Sequence, residues 1–226
     1  MSFVTLAHLQ DDKERFSNAL LRMVGLGAIL TLPALSGFGV LSGDIIPLLF
    51  GARWESSVAI AQVLSLMAVP FCINHFLVSA LAAIGRPGSI AKSTGVQTVA
   101  ALGLSLLAAP FGVQWVAAAY VLRAYLMLPY HLHLFRRDTG VGLMPLMRAV
   151  MPPFLASQAM VGVLLLAVPR LHETLGHGVA FLAVAVLLGG SVFVGALLLF
   201  AGHYVRSNLA VLVPLWRKAR PPVVAR

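Results

Sequence analysis

The sequence predicts an all-α, polytopic integral membrane protein with about six transmembrane helices, and three observations predict it. Hydrophobic residues make up 60% of the 226 and charged residues only 10%, with a mean hydropathy of +0.94. A water-soluble domain carries about 25% charged residues to cover its surface. The apolar residues come in runs long enough for a hydrocarbon core, which takes about 20 residues per helix. The basic residues sit in the short gaps between those runs, the pattern of membrane orientation signals. That placement gives the net charge of +9 its meaning and excludes nucleic-acid binding. A single cysteine, Cys72, lies inside an apolar run, so the chain forms no internal disulfide.

Met1–Gln10 followed by Asp11, Asp12, Lys13, Glu14 and Arg15 reads as a charged lead-in rather than a cleavable signal peptide. Asp11 or Asp12 can cap the amphipathic turn that follows. Six apolar segments then succeed one another: Met23–Gly43, Val58–Ile84, Gly95–Ala109, Trp115–Phe135, Val150–Val168 and Val179–Gly202. Backbone in hydrocarbon must satisfy its own hydrogen bonds, which makes each of these a helix. The third is short and borrows residues from Ala91–Thr94. Turn chemistry closes the segments at Gly85-Arg86-Pro87-Gly88, Pro110-Phe111-Gly112, Asp138-Thr139-Gly140 and Pro169-Arg170. The organisation expected is a lead-in over 1–22, a six-helix bundle over 23–203 and a basic tail over 204–226.

Loop charges give an independent count. With a cytoplasmic N-terminus, six spans place Lys13, Arg15, Arg22, Arg86, Lys92, Arg136, Arg137, Arg148, Arg206, Arg217, Lys218, Arg220 and Arg226 inside, against Arg53 and Arg170 outside. This predicts both termini in the cytoplasm. The sixteenth basic residue, Arg123, falls in the middle of the fourth segment.

Arg123 is therefore the candidate for chemistry. A charge at mid-bilayer costs at least about 2.5–3.5 kcal/mol, so it faces a bundle interior or a wet cavity. Tyr120, Met127 and Tyr130 follow at helical spacings and put two hydroxyls on its face. A guanidinium matches phosphate geometry, and this makes Arg123 a candidate anion contact; the plainer alternative is a side chain that bonds carbonyls or a neighbouring helix. Asn74-His75, Gln62, Gln97-Thr98 and Gln158 are further polar breaks, suited to interhelical hydrogen bonds. His131 and His133 point apart on one helix, and His172 and His177, with Glu173, have no zinc spacing, so no metal site is predicted. All seven acidic residues fall at segment ends or in loops. No catalytic residues, cofactor or enzyme activity are predicted from such a set. Gly39 with Gly43, and Ser191 with Gly195, are small-xxx-small pairs for close helix contact. Pro33, Pro70 and Pro129 lie inside segments they should bend.

The first ninety residues carry a resemblance. Leu9-Gln10-Asp11-Asp12 with Arg15 leads into a helix bearing Pro33. Then come Ile46-Pro47-Leu48-Leu49-Phe50-Gly51-Ala52-Arg53-Trp54 and a second helix ending Ala83-Ile84-Gly85-Arg86-Pro87. This order resembles the Wzx-type oligosaccharide flippases, in the polysaccharide transporter branch of the superfamily that includes MATE exporters and lipid II flippases. The resemblance implies one bundle of a two-bundle transporter, with this chain similar to the C-terminal half and the N-terminal half as its partner. It also implies an undecaprenyl-pyrophosphate-linked oligosaccharide as substrate, membrane lipid around it, and the bacterial cytoplasmic membrane as its place. On that reading Arg123 meets pyrophosphate or acidic sugars, and Tyr120, Tyr130 and Asn74 are sugar contacts. A lipid II flippase or drug exporter, or a non-transporting scaffold subunit, is the alternative.

Overall fold

The structure is a computed structural model describing residues 13–209. Asp11, Asp12 and the basic tail residues Arg217, Lys218, Arg220 and Arg226 lie outside the described residues. Helix α1 (Lys13–Phe50) leads through a 3-10 turn, Ala52–Ser57, into α2 (Val58–Ser65) and α3 (Ala68–Ala83). Helices α4 (Pro87–Ala108), α5 (Val113–Thr139), α6 (Leu143–Leu175) and α7 (Val179–Leu209) follow, with a 3-10 turn at Ala109–Phe111. No strand occurs among the described residues. The links are short, and sequential helices pack closely at α4–α5 and at α6–α7.

Turn chemistry sets those links. Gly85 (φ 68°) and Gly140 (φ 73°) take the left-handed conformation that L side chains rarely adopt. Pro87 opens α4, where its missing N–H is no loss. The expected stop at Pro169-Arg170 is not one: α6 runs through Pro152, Pro153 and Pro169 to Leu175. A helix packed along its length against α1 and α7 can lose single hydrogen bonds and stay helical. The first segment was also drawn too short. Helix α1 continues past Asp44 and Pro47 because the Asp44 carboxylate finds partners in His172 and His177.

Helices α1, α4, α6 and α7 are long and apolar enough to cross a membrane, and the bent α2–α3 pair makes a fifth span if it is taken as one. Of the expected six, four or five are met by length and composition, and α5, the fourth segment, is not among them. Its 27 residues reach about 40 Å at 1.5 Å per residue. It falls short in composition, with Gln114, Arg123 and the tyrosines at 120, 125 and 130 interrupting the run.

Two apolar clusters hold the bundle together, and α1 belongs to both. One joins Leu20, Val24 and Leu32 of α1 to Cys72, Leu77 and Leu81 of α3 and Leu146 of α6. The other joins Leu41 to Met160 and Leu164 of α6 and Phe181 and Ala185 of α7. Between helices in lipid the attraction is close packing rather than water exclusion, so small residues matter. The close approaches are at Gly27, where a Cβ would strike the Phe76 ring, at Gly39, where it would strike Ser65 Oγ, and at Gly189 beneath Leu164. Gly43 and Gly195 have open space beside them, and Ser191 bonds the Leu187 carbonyl of its own turn. The expected pairs thus contribute Gly39 alone.

The α2–α3 axis bends by 60° at Leu66–Met67. Pro70 explains where. It has no N–H for the carbonyl four residues back, which is that of Leu66. The Tyr125 hydroxyl donates to the Leu66 oxygen at 2.7 Å and takes the missing donor's place. Tyr125→Phe should therefore destabilise the fold by about 1 kcal/mol. In a Pro70→Ala background, where a backbone donor is restored, the same change should be close to neutral. Thermal unfolding of the four proteins in one detergent measures that coupling.

Helices α1 and α4–α7 keep much of their apolar surface uncovered, including Val99, Leu102, Leu106 and Leu107 on α4. Such a surface belongs against hydrocarbon or another apolar partner. At one end of the bundle Arg86 pairs with Asp138 at 2.7 Å. At the other end Asp44 meets the two histidines. Arg86→Ala leaves a nearly covered Asp138 carboxylate without its cation and should lower stability by about 1 kcal/mol, read as a shift in unfolding midpoint.

Candidate functional site

Arg123 lies on the buried side of α5, with only 7% of its surface exposed. Its guanidinium stands over the Tyr120 ring, 4.4 Å from the centroid, one helical turn earlier. One amino group donates to the Gln97 carbonyl of α4 at 3.3 Å. Arg123 thus points inward rather than snorkelling to an interface.

Around it lies a cavity of about 220 Å³, lined from α3 by Pro70, Phe71 and Asn74, from α4 by Gln97, and from α5 by Tyr120, Met127 and His131. The Gln97 amide donates to Asn74 Oδ1 at 3.4 Å and to Ser93 Oγ at 3.3 Å, so the expected interhelical hydrogen bond forms across α3 and α4. Two buried nitrogens, Arg123 Nε and His131 Nε2, have no hydrogen-bond partner among the described residues. No carboxylate lines the cavity. A buried cation with an unused donor and no counter-ion among the described residues is suited to an anionic ligand.

Three of the four expected site residues, Arg123, Tyr120 and Asn74, come together here. Tyr130 does not line the cavity; its ring lies 5.9 Å from that of His131, which does. His131 and Gln97 are the members that sequence reasoning passed over as site residues. The signal for His131 was present in its i+8 spacing from Arg123, continuing the line through Met127. His131 is buried and His133 exposed, in keeping with their pointing apart.

A second cavity, about 470 Å³, lies on the other side of the α2–α3 bend. Ser36, Gln62, Ser65, Tyr125 and Gln158 give it polar groups without charge, and Leu32, Val69 and Phe154 give it apolar surface. Gln62 and Gln158, expected to pair between helices, both line this space.

The motif Leu48-Leu49-Phe50-Gly51-Ala52-Arg53-Trp54 also acquires a geometry. Helix α1 ends at Phe50, and Gly51 turns the chain at φ 88°. Its N–H closes onto the Pro47 carbonyl at 2.9 Å, and Trp54 N–H closes onto Gly51 at 3.1 Å. The Phe50 and Trp54 rings meet at 6.3 Å, both largely exposed. Aromatic groups at the end of a span suit the membrane interface.

The sequence signature of a family described as polysaccharide biosynthesis proteins matches residues 1–59, which include this motif. The chain is also 30% identical over 84 residues to the lipopolysaccharide biosynthesis protein WzxC of Escherichia coli (strain K12). Both likenesses are to proteins described by their part in polysaccharide or lipopolysaccharide biosynthesis. The match to WzxC takes in 37% of this chain and 17% of the relative. No solved structure matches the chain. The long apolar helices are those of a multi-pass membrane protein.

Proposed function

We propose that this chain forms part of a transporter that moves lipid-linked oligosaccharide precursors across the bacterial cytoplasmic membrane, with both termini on the cytoplasmic side. The observation that carries the reading is the buried Arg123, charged, partly unpaired and set in a polar cavity with no carboxylate. A pyrophosphate, such as that of an undecaprenyl-linked sugar chain, supplies the oxygen acceptor that Arg123 Nε lacks, and His131 Nε2 donates to a second oxygen in the tautomer that carries its proton there. Tyr120 and Asn74 sit where the first sugar would follow. The larger neutral cavity offers hydroxyl and amide partners to further sugars, while the prenyl tail stays against the uncovered apolar helices. The N-terminal half of the family's two-bundle architecture would supply the facing side of the passage. Proton-relay or acid–base chemistry forms no part of the reading, and the cavity's lining offers no carboxylate for it.

Deleting the gene should abolish surface polysaccharide and leave lipid-linked oligosaccharide on the inner leaflet. Polysaccharide export at the normal level in the deletion strain would sink the transport reading, and intact export from Arg123→Ala beside lost export in the deletion strain would favour a scaffold subunit. Within the site, Asn74→Ala should reduce export while Tyr130→Phe leaves it unchanged, since only Asn74 lines the cavity.

A further inference from the structure

The end of the bundle remote from Arg86 and Asp138 holds three metal-ligating side chains that the transport reading does not use. Asp44 comes from the last turns of α1, His172 from the last turn of α6, and His177 from the link to α7. His172 Nε2 and His177 Nδ1 approach the same oxygen, Asp44 Oδ1, at 3.0 and 2.9 Å. All three donor atoms lie within 4.8 Å of one another.

Local chain geometry produces this convergence. Gly176 turns back at φ 65° and closes its N–H onto the His172 carbonyl at 3.0 Å, which folds His177 over His172. The two imidazoles lie with centroids 4.1 Å apart, and Phe181 of α7 backs His172 at 4.2 Å. Asp44 is 11% exposed and His172 24%, so two donors are held in the protein, while His177 at 76% faces outward.

We infer that Asp44, His172 and His177 form a binding site for a divalent transition-metal ion, zinc by preference. Two imidazoles and one carboxylate are a donor set that zinc takes at about 2.0–2.2 Å, with water completing a tetrahedron. Tetrahedral donors at those lengths stand about 3.3 Å apart. The two separations from Asp44 Oδ1 therefore need to open by only a few tenths of an ångström, and the two imidazole nitrogens already lie within 4.8 Å of each other. On binding, the two imidazole nitrogens give up any proton they share with Asp44 and turn their lone pairs to the metal. The outward side of His177 leaves the fourth position open to water. The site joins α1, α6 and the start of α7, so the ion would tie together helices that otherwise meet through apolar packing. It stands independently of what the transporter carries.

The test uses the full chain, purified without a polyhistidine tag in detergent or lipid nanodiscs. Zinc is added, free ion is removed by dialysis, and bound zinc is measured by elemental analysis, with cobalt as a spectroscopic probe. The expected result is one zinc per chain, visible cobalt bands of four-coordinate character, and a metal-dependent rise in unfolding midpoint. His177→Asn should weaken binding by at least about tenfold, the loss that even supporting groups around a metal produce. That residue is exposed, so its replacement keeps the fold. His133→Asn, on exposed helix surface at the other end of the bundle, should bind as the parent does. Asp44→Asn should lose the metal as well, with the intact His177→Asn protein guarding against a folding defect. Less than one zinc per chain, or binding that His177→Asn leaves unchanged, would overturn the proposal and leave the three groups as a hydrogen-bonded clasp.

Discussion

Replacing Arg123 with alanine is expected to cut surface polysaccharide at least about tenfold while the protein stays at its normal level in the membrane. Hydrogen bonds to a charged group contribute about 1.5–3 kcal/mol each, and about 1.4 kcal/mol is a factor of ten in affinity. Losing a single such contact to a phosphate oxygen is therefore enough. Arg123→Lys should fall between parent and alanine, because an ammonium keeps the charge and loses the planar fork. The variants must be made in the complete transporter and compared at equal protein abundance. A merely structural arginine predicts a different pattern. Removing it would relieve a buried, partly unpaired charge, and abundance or unfolding midpoint would move while export per molecule held. Export at the parental level from a normally abundant Arg123→Ala protein would exclude Arg123 as a substrate contact.

The second large effect is expected in packing. Gly27 of α1 sits against the Cε2–Cζ edge of the Phe76 ring on α3, and a methyl group there would collide with both atoms. Phe76 is 9% exposed and also meets His75 edge-on at 5.3 Å, so its ring has little room to retreat. Gly27→Ala should therefore destabilise by about 1–3 kcal/mol, the usual result of overfilling a packed interior. Phe76→Leu removes the colliding atoms and leaves a smaller void. It should be destabilising alone, yet the double variant should be more stable than the sum of the two changes by at least about 1 kcal/mol. Thermal or detergent-induced unfolding of the four proteins reads this directly. Additive effects would show that α1 and α3 do not meet at these residues.

Much of the fold was legible because it rests on local rules. Apolar runs of span length, glycines at left-handed positions 85 and 140, and Pro87 at a helix start act within a few residues of themselves. What was not legible was decided elsewhere in the chain. The segment ending at Gly43 leaves Asp44 outside it, because the partners that let α1 continue, His172 and His177, lie 128 and 133 residues away. The stop drawn at Pro169 weighed a proline against an isolated helix, whereas α6 is held on two sides. Of the candidate site, periodicity found Arg123, Tyr120 and Met127 because they share one helix face. Asn74 was visible as a polar break and Gln97 as another, yet nothing local said that they meet. Tyr130 and His131 could be told apart only when α3 and α4 were in place.

The bend at Leu66–Met67 has one more consequence. Leu66 lines the neutral cavity and Met67 the cationic one, so the same joint is the partition between them. Two residues of α5 lean on that partition from opposite sides: Tyr125 holds the Leu66 carbonyl, and Arg123, two positions earlier, occupies the neighbouring chamber. A swing of α3 about this joint cannot enlarge one chamber without reshaping the other. On the proposed function, whatever each chamber receives would bear on the same joint.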